Sequence, residues 1–342
     1  MESLTAVVLA AGQGTRMKSQ WPKVLHKVCG VPMAEQVIRT VKKAGSEKCV
    51  VVTGFKEELV RERLAGENIY FVHQEEQLGT AHAVMQAVPL FKDNRDGYVL
   101  VVCGDTPLLR RGTIEGLVCA CRDHDGAAAV LTAIMDNPFG YGRVLRDAKG
   151  HMISIVEQKD GTPDQLAVHE INTGTYVFKT GALLDSLEKV DNKNAQGEYY
   201  LTDVFEILIK AGRKVIPVAA EDASETMGVN SRIQLAEADR ILRIRKAEDL
   251  MAAGVTITDP YSTYIEQDVE VGQDTVILPG TMLQGKTKVG KNCTLGPDTQ
   301  LTDVICGDGN HLNRVYAHSC ELGDNNEIGP FVHLRPETCL HN

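Results

Sequence analysis

No run in this 342-residue chain approaches the roughly twenty consecutive apolar residues that a membrane span requires, so no membrane insertion is expected. Met1-Glu2-Ser3 lacks the basic stretch that opens a secretory leader, so no signal peptide is expected. No C-x-x-C pair occurs: the nine cysteines lie scattered at Cys29, Cys49, Cys103, Cys119, Cys121, Cys293, Cys306, Cys320 and Cys339. Neither a zinc ribbon nor a dithiol redox motif is supported, and the expectation is a cytoplasmic protein with reduced thiols. The ten histidines show no H-E-x-x-H spacing, so none is read as a metal ligand. Positive charge is also short. The formal net charge is −10, which argues against nucleic acid as a partner. A phosphate-bearing substrate would need a local cationic site.

Such a site stands near the N-terminus, in Val7-Val8-Leu9-Ala10-Ala11-Gly12-Gln13-Gly14-Thr15-Arg16-Met17 and on to Pro22-Lys23-Val24-Leu25. The apolar run from Ala6 to Ala11 has no polar alternation, as in a strand buried on both faces of a parallel sheet. Gly12 and Gly14 bring bare backbone to the loop that follows, and Arg16, Lys18, Lys23 and Lys27 add positive charge. Backbone N–H groups beside Arg and Lys suit a polyphosphate. Two common phosphate loops are excluded: Met17 stands where a dinucleotide fingerprint needs its third glycine, and the P-loop spacing is absent. The two glycines alone fit a plain strand-to-helix turn equally well. Arg16 and Pro22-Lys23 favour a nucleoside triphosphate site.

Downstream, helix and strand alternate. Pro32 before and Gly45 after bracket a helix over Met33 to Ala44. Strands are expected at Cys49–Gly54, Tyr70–Val72 and Tyr98–Cys103, with helices over Lys56–Leu64 and Ala81–Val88. This argues for a parallel sheet covered on both faces. Its ligands would lie beyond the carboxyl ends of the strands, where the polar loops converge. From Ala127 the pattern changes. Strands are expected at Ala127–Met135, His151–Glu157, Asn172–Phe178 and Val215–Val218, with a glycine-rich turn at Pro138–Val144. A helix carries Val204, Phe205, Leu208 and Ile209.

Ser231 and Gln234 form a capping box that opens a long helix ending at Gly254, roughly 34 Å at 1.5 Å per residue. Its irregular stripe reads as a partly solvated arm. The domains expected are thus 1–230, a helical linker 231–253, and 254–342. In the last, Ile265, Val271, Ile277, Leu283, Val289, Leu295 and Leu301 recur at strict six-residue spacing. Small or β-branched residues follow four positions later at Val269, Thr275, Thr281, Thr287, Cys293 and Thr299. Each hexapeptide reads as one side of a triangular parallel β-helix with the aliphatic inward. The register slips near Gly307-Asp308-Gly309-Asn310, where a bulging loop is expected, and resumes at Leu322, Ile328 and Leu334. Asp303 and Asp308 read as turn residues of this solenoid. With no capping segment before Asn342, the chain reads as part of a longer protein.

Asp105, ending a buried strand, is the best candidate ligand for Mg²⁺, which takes few protein oxygens plus substrate phosphates; a turn-forming Asp before Thr-Pro is the alternative. Several motifs occur in order: L-A-A-G-x-G-T-R-M, Gln74 with Gln77-Leu78-Gly79-Thr80-Ala81, Gly104-Asp105-Thr106-Pro107, Gly140-Tyr141-Gly142-Arg143, Val156-Glu157, Asn172-Thr173-Gly174, N-A-Q-G-E-Y-Y-L-T-D and Gly228-Val229-Asn230. With the hexapeptides, the chain resembles the bacterial bifunctional N-acetylglucosamine-1-phosphate uridyltransferase/glucosamine-1-phosphate acetyltransferases. The resemblance implies a Rossmann-like α/β nucleotidyltransferase domain, a helical arm and a partial left-handed β-helix. By the same resemblance, Leu9, Ala10, Ala11, Gly12, Gln74, Gly79 and Thr80 hold the uridine nucleotide of UTP. Arg16 and Lys23 stabilise the triphosphate during transfer, and Asp105 with Asn230 holds Mg²⁺. Gly142, Glu157 and Asn172 bind N-acetylglucosamine-1-phosphate.

The family's second activity uses acetyl-CoA. Arg335 matches its Arg-Pro motif, but the catalytic histidine would lie beyond residue 342, so this chain is expected to lack acetyl transfer. A homotrimer through the β-helix is also implied. Without the resemblance, Glu157 reads as a strand-end carboxylate facing water, Gln74 as a solvated loop amide, and Gly140–Gly142 as a hairpin turn. Two other functions compete: the same reaction with another base or sugar, and a non-catalytic solenoid scaffold carrying a dead nucleotide domain. Intact Arg16, Lys23 and Asp105 argue against the scaffold.

Overall fold

The apolar run at the N-terminus divides at Leu9, although burial continues through Ala11. In the computed structural model, which describes residues 3–341, strand β1 covers Leu4–Leu9 and Ala10 onward is loop. Met1, Glu2 and Asn342, on which the readings of the two termini partly rest, lie outside the described residues. There follow β2 (Lys27–Val28), β3 (Val31–Pro32), α1 (Met33–Lys43), β4 (Lys48–Thr53), α2 (Glu57–Leu64), β5 (Ile69–His73), α3 (Thr80–Ala87) and β6 (Tyr98–Cys103). Next come α4 (Arg111–Asp123), β7 (Ala128–Ile134), β8 (Gly142–Arg146), β9 (Met152–Val156), α5 (Pro163–Leu166), β10 (Glu170–Lys179), α6 (Thr180–Leu187), α7 (Asp203–Lys210), β11 (Val215–Ala219) and α8 (Arg232–Ala252).

One sheet runs β11-β7-β10-β6-β1-β4-β5, with β8 on β10 and β9 on β8. The pairs β6-β1-β4-β5 and β11-β7 are parallel, whereas β10 is antiparallel to both β6 and β7. Successive side chains of a strand face opposite ways. Val7, Val50, Val52, Val99 and Val101 therefore meet Phe178, Leu183 and Phe205 on one face. Ala6, Val8, Cys49, Val51, Leu100 and Val102 meet Val37, Ile38 and Val41 of α1 and Ile114 and Leu117 of α4 on the other. Both faces being covered is why these strands read as continuous apolar runs. Helices α4, α5 and α6 were not among the expected elements.

The chain divides into two units, one holding residues up to His26 and Pro32–Gln234, the other Lys27–Val31 and Leu235 onward. This division differs from the expected boundaries at 230/231 and 253/254. Lys27–Val31 joins the second unit because Cys29 is tied there: its N–H donates to Asp239 Oδ1 at 2.8 Å and its Sγ to the Ile265 carbonyl at 3.3 Å. The capping box is also altered. Gln234 N–H donates to Ser231 Oγ at 3.2 Å, but Gln234 Oε1 accepts from Asn230 N–H, at 2.8 Å, one residue earlier than a capping box requires.

The second unit is a three-sided parallel β-helix: three sheets of five short parallel strands each. Its repeat residues point inward as expected, with Ile277, Leu283, Leu295 and Leu301 fully buried and Thr275, Thr281, Thr287 and Thr299 equally so. The threonine hydroxyls stay satisfied by donating to corner carbonyls, as Thr281 does to Leu278 at 2.7 Å. No loop bulges at the register slip. Val271 pairs with Val289, eighteen residues on, but Val289 pairs with Cys306 and Leu301 with Ala317. Corners have shortened by single residues while the ladders continue. Asp303 and Asp308 are corner residues as expected: their Oδ1 atoms accept from Lys286 N–H at 2.9 Å and Lys291 N–H at 2.7 Å.

Candidate functional site

The carboxyl ends of β1, β5 and β6 release three loops on the same edge, because these strands are parallel. The loops are knit together: the Ala11 carbonyl accepts from Gln77 Nε2 at 2.8 Å and from Phe55 N–H at 3.3 Å. Between them lies a cavity of about 320 Å³ lined by Leu9, Ala10, Ala11, Gly12, Lys23, Gln74, Gly79, Thr80 and Asp105, among others. All nine were singled out in the sequence.

The glycines divide their work. Gly14 has φ of 66° and a Cβ there would stand 2.5 Å from Lys23 Cβ, so it is needed to seat Lys23. A Cβ on Gly12 would meet nothing within 4 Å, so this backbone is open to the cavity it lines. Gly79, with φ of 111°, lets the Tyr199 backbone approach: a Cβ would lie 2.5 Å from its carbonyl oxygen. Ala81 N–H in turn donates to that carbonyl at 2.9 Å, and Thr80 Oγ1 accepts from Leu201 N–H at 3.0 Å.

Lys23 leaves a one-turn helix at Lys23–Leu25 and its ammonium is ion-paired with Asp105 Oδ2 and 2.9 Å from Asn230 Oδ1. The Gly228-Val229-Asn230 segment is held against Asp105 because Val229 N–H donates to the Asp105 carbonyl at 2.8 Å. Two oxygens thus converge on one cation. Arg16, by contrast, is exposed on the turn Thr15–Met17 and does not line the cavity.

Gly142, Glu157 and Asn172 form a second cluster beside the cavity lining. Asn172 pairs with Gly142 across β10 and β8, and a Cβ on Gly142 would sit 3.4 Å from Glu157 Oε2. Register shifts between Asn172 and Tyr176, with Gly174 at φ 78°, and Asn172 Nδ2 donates to the Tyr176 hydroxyl at 2.8 Å. Glu157 does not simply face water. Burial raises its carboxyl above the usual range, opposed by the Thr202 hydroxyl, which donates to Oε1 at 3.0 Å. Gln74 is likewise no solvated amide, being 3% exposed. The Gly140–Arg143 run leads into strand β8, and Tyr141 keeps its phenol proton more tightly than usual, chiefly through burial.

The sequence reading missed several lining residues. Cys103 and Glu198 line the cavity and Thr202 holds Glu157. The signal for Glu198 and Thr202 lay in the polar run Asn194–Asp203; Cys103 looked like any strand-end apolar residue. Its thiol is pushed up to about 12, first by burial and then by Asp105. Arg335 lies in the second unit, exposed, just after the strand Val332–Leu334. Among the described residues, no helix is long and apolar enough to cross a membrane.

Residues 6–170 match the family model for MobA-like NTP transferase domains. The bifunctional protein GlmU of Geobacillus sp. strain WCH70 is 49% identical over 333 residues, which are 97% of this chain and 72% of that protein. The bifunctional protein GlmU of Listeria monocytogenes strain EGD-e is 46% identical over 342 residues, 100% of this chain and 74% of the relative. A third, from Caldanaerobacter subterraneus, is 46% identical over 99% of this chain and 74% of its own length. Identity at this level, spread over both the nucleotide-loop sheet and the β-helix, means that the chain belongs to the family of bifunctional GlmU proteins and carries a nucleotidyltransferase domain.

Proposed function

We propose that the first unit transfers the uridylyl group of UTP to N-acetylglucosamine-1-phosphate, releasing pyrophosphate. The observation that carries this reading is Lys23 set between Asp105 and Asn230 at the edge of a cavity walled by the Leu9–Gly12 backbone, Gln74 and Gly79. Nucleotidyl transfer asks for positioning and neutralisation of charge rather than covalent help from the protein. Leu9–Gly12, Gln74, Gly79 and Thr80 would hold the nucleotide. Lys23, joined by Arg16 swinging in from its exposed turn, would meet the phosphates. Gly142, Glu157 and Asn172 would fix the amino sugar so that its phosphate oxygen lies in line with the α-phosphorus.

Asp105 and Asn230 suit Mg²⁺. Their oxygens already converge on an ammonium, and a hard cation that keeps substrate phosphates as ligands needs only one or two such protein donors. When bound, the ion would supply charge neutralisation on the triphosphate. For the second unit we propose Arg335 as a contact for the acetyl-transfer substrates of the family's other activity, acetyl-CoA and glucosamine-1-phosphate.

The test is pyrophosphate release with UTP, ATP, GTP and dTTP, each against a set of sugar-1-phosphates. UTP with N-acetylglucosamine-1-phosphate should be the best pair. A better pair of another base or sugar, or no turnover at all, would overturn the reading.

A further inference from the structure

Lys23 lines the nucleotide cavity, yet its ammonium is engaged by the two residues that suit Mg²⁺. Nζ is ion-paired with Asp105 Oδ2 and lies 2.9 Å from Asn230 Oδ1, and the Lys23 and Asp105 side chains are 14% and 15% exposed. Asn230 presents its oxygen here because its Nδ2 donates elsewhere, to the Gly228 carbonyl at 3.3 Å. Mg²⁺ holds its oxygens at about 2.0–2.1 Å. An ion on Asn230 Oδ1 therefore stands within about 5 Å of Lys23 Nζ wherever it sits around that oxygen. Like charges that close, in a site largely shielded from water, repel several times more strongly than in bulk water. The ammonium sits on a flexible four-carbon stem, so it is the cation that can yield.

We propose that the Lys23 ammonium holds the place of a divalent ion on Asp105 and Asn230, yields it when the ion binds, and turns to the phosphates in the cavity it lines. Lys23 thus opposes binding of the ion alone, and ion and nucleotide favour each other's binding. This rests on reading Asp105 and Asn230 as the Mg²⁺ ligands.

The first test is the Mn²⁺ affinity of the full chain without nucleotide, from the EPR signal of the free ion. It compares the wild type, Lys23→Met, Lys18→Met, and Lys23→Met combined with Asp105→Ala. Lys23→Met keeps the stem and removes the charge, so the Kd should fall by at least about tenfold. Lys18 is an exposed cation on the same loop, and Lys18→Met should change the Kd by no more than about twofold, as a solvent-screened charge does. The second test needs no variant. Acetylation of the wild-type Lys23 amine by acetic anhydride, read by peptide mass, should quicken severalfold at saturating Mn²⁺. An unchanged Kd in Lys23→Met, an equal fall in Lys18→Met, or Lys23 labelling that Mn²⁺ does not quicken would overturn the exchange. Absence of bound Mn²⁺ in folded Lys23→Met, or binding that survives the added Asp105→Ala, would instead overturn the metal reading on which the inference stands.

Discussion

The Lys23 ammonium is ion-paired with the Asp105 carboxylate, both side chains being about 15% exposed or less. The pair spans 82 residues of sequence, and Asn230 joins it from 207 residues away. Replacing Asp105 by Ala removes the carboxylate paired with this cation without touching the Asp105 carbonyl that holds Val229. Lys23 can then extend its long stem toward water. The fold should survive while pyrophosphate release falls by at least about a thousandfold, the scale of losing a group that stabilises transition-state charge. Retained turnover in Asp105→Ala would remove this pair from the mechanism.

Gly12 and Gly79 should separate binding from stability. Gly12→Ala adds a methyl to open space at the cavity wall, so stability should stay within about 0.5 kcal/mol. The KM for nucleotide should nonetheless rise about tenfold or more, as a misplaced ligand demands. Gly79→Ala must force φ of 111° on a residue with a Cβ that collides with Tyr199. It should cost about 1–3 kcal/mol in stability. Thermal melts and nucleotide titrations of the two variants check both claims.

Asp203 opens helix α7 with its carboxyl pushed up to about 6, first by burial and then by Glu206, Asp191, Glu157 and Asp160. The folded protein therefore holds this proton more tightly than the unfolded chain, whose value is 3.8. The contribution of Asp203 is fully favourable below 3.8 and is lost as pH rises through about 6. Asp203→Asn should thus gain melting temperature relative to the wild type between pH 4 and pH 6.5. A difference that stays constant with pH would show that the shift is not there.

In the β-helix, Leu295 is fully buried between Ile277 and Leu312 of the adjacent coils. Leu295→Ala should cost about 2–5 kcal/mol, the range for a large core residue cut to alanine. Ile305 is 53% exposed on the outer side of the same solenoid, and Ile305→Ser should stay within about 0.5 kcal/mol. Denaturant unfolding of the second unit would compare them, and equal costs would contradict the inward register.

Much of the fold was legible because burial leaves a period. Strands covered on both faces kept unbroken apolar runs, as in Tyr98–Cys103, whose expected and observed bounds coincide. Helix α4 escaped because Gly112 and Gly116 interrupt the stripe of Ile114, Leu117 and Cys121. Helix α6 escaped because it follows β10 without a turn residue between them. The solenoid slip was visible, but a shortened corner and a bulged loop shift the inward positions alike. Only the coil-to-coil ladder distinguishes them.

Family resemblance picked out Gln74, Gly79 and Thr80, whereas the sequence by itself determined the alternation of strand and helix, the six-residue repeat and the strand-end positions of the Leu9–Gly12 loop and Asp105. These depend on local periodicity and on loops that follow strands. Tertiary structure alone decided that β10 enters antiparallel, which brings Asn172 beside Gly142 and Glu157. It also decided that Lys23 stands between Asp105 and Asn230, and that Gln74 is buried with His82 behind it. Such contacts join residues that only folding brings together. Their energies come from the pairing itself, which leaves no period in the sequence to read.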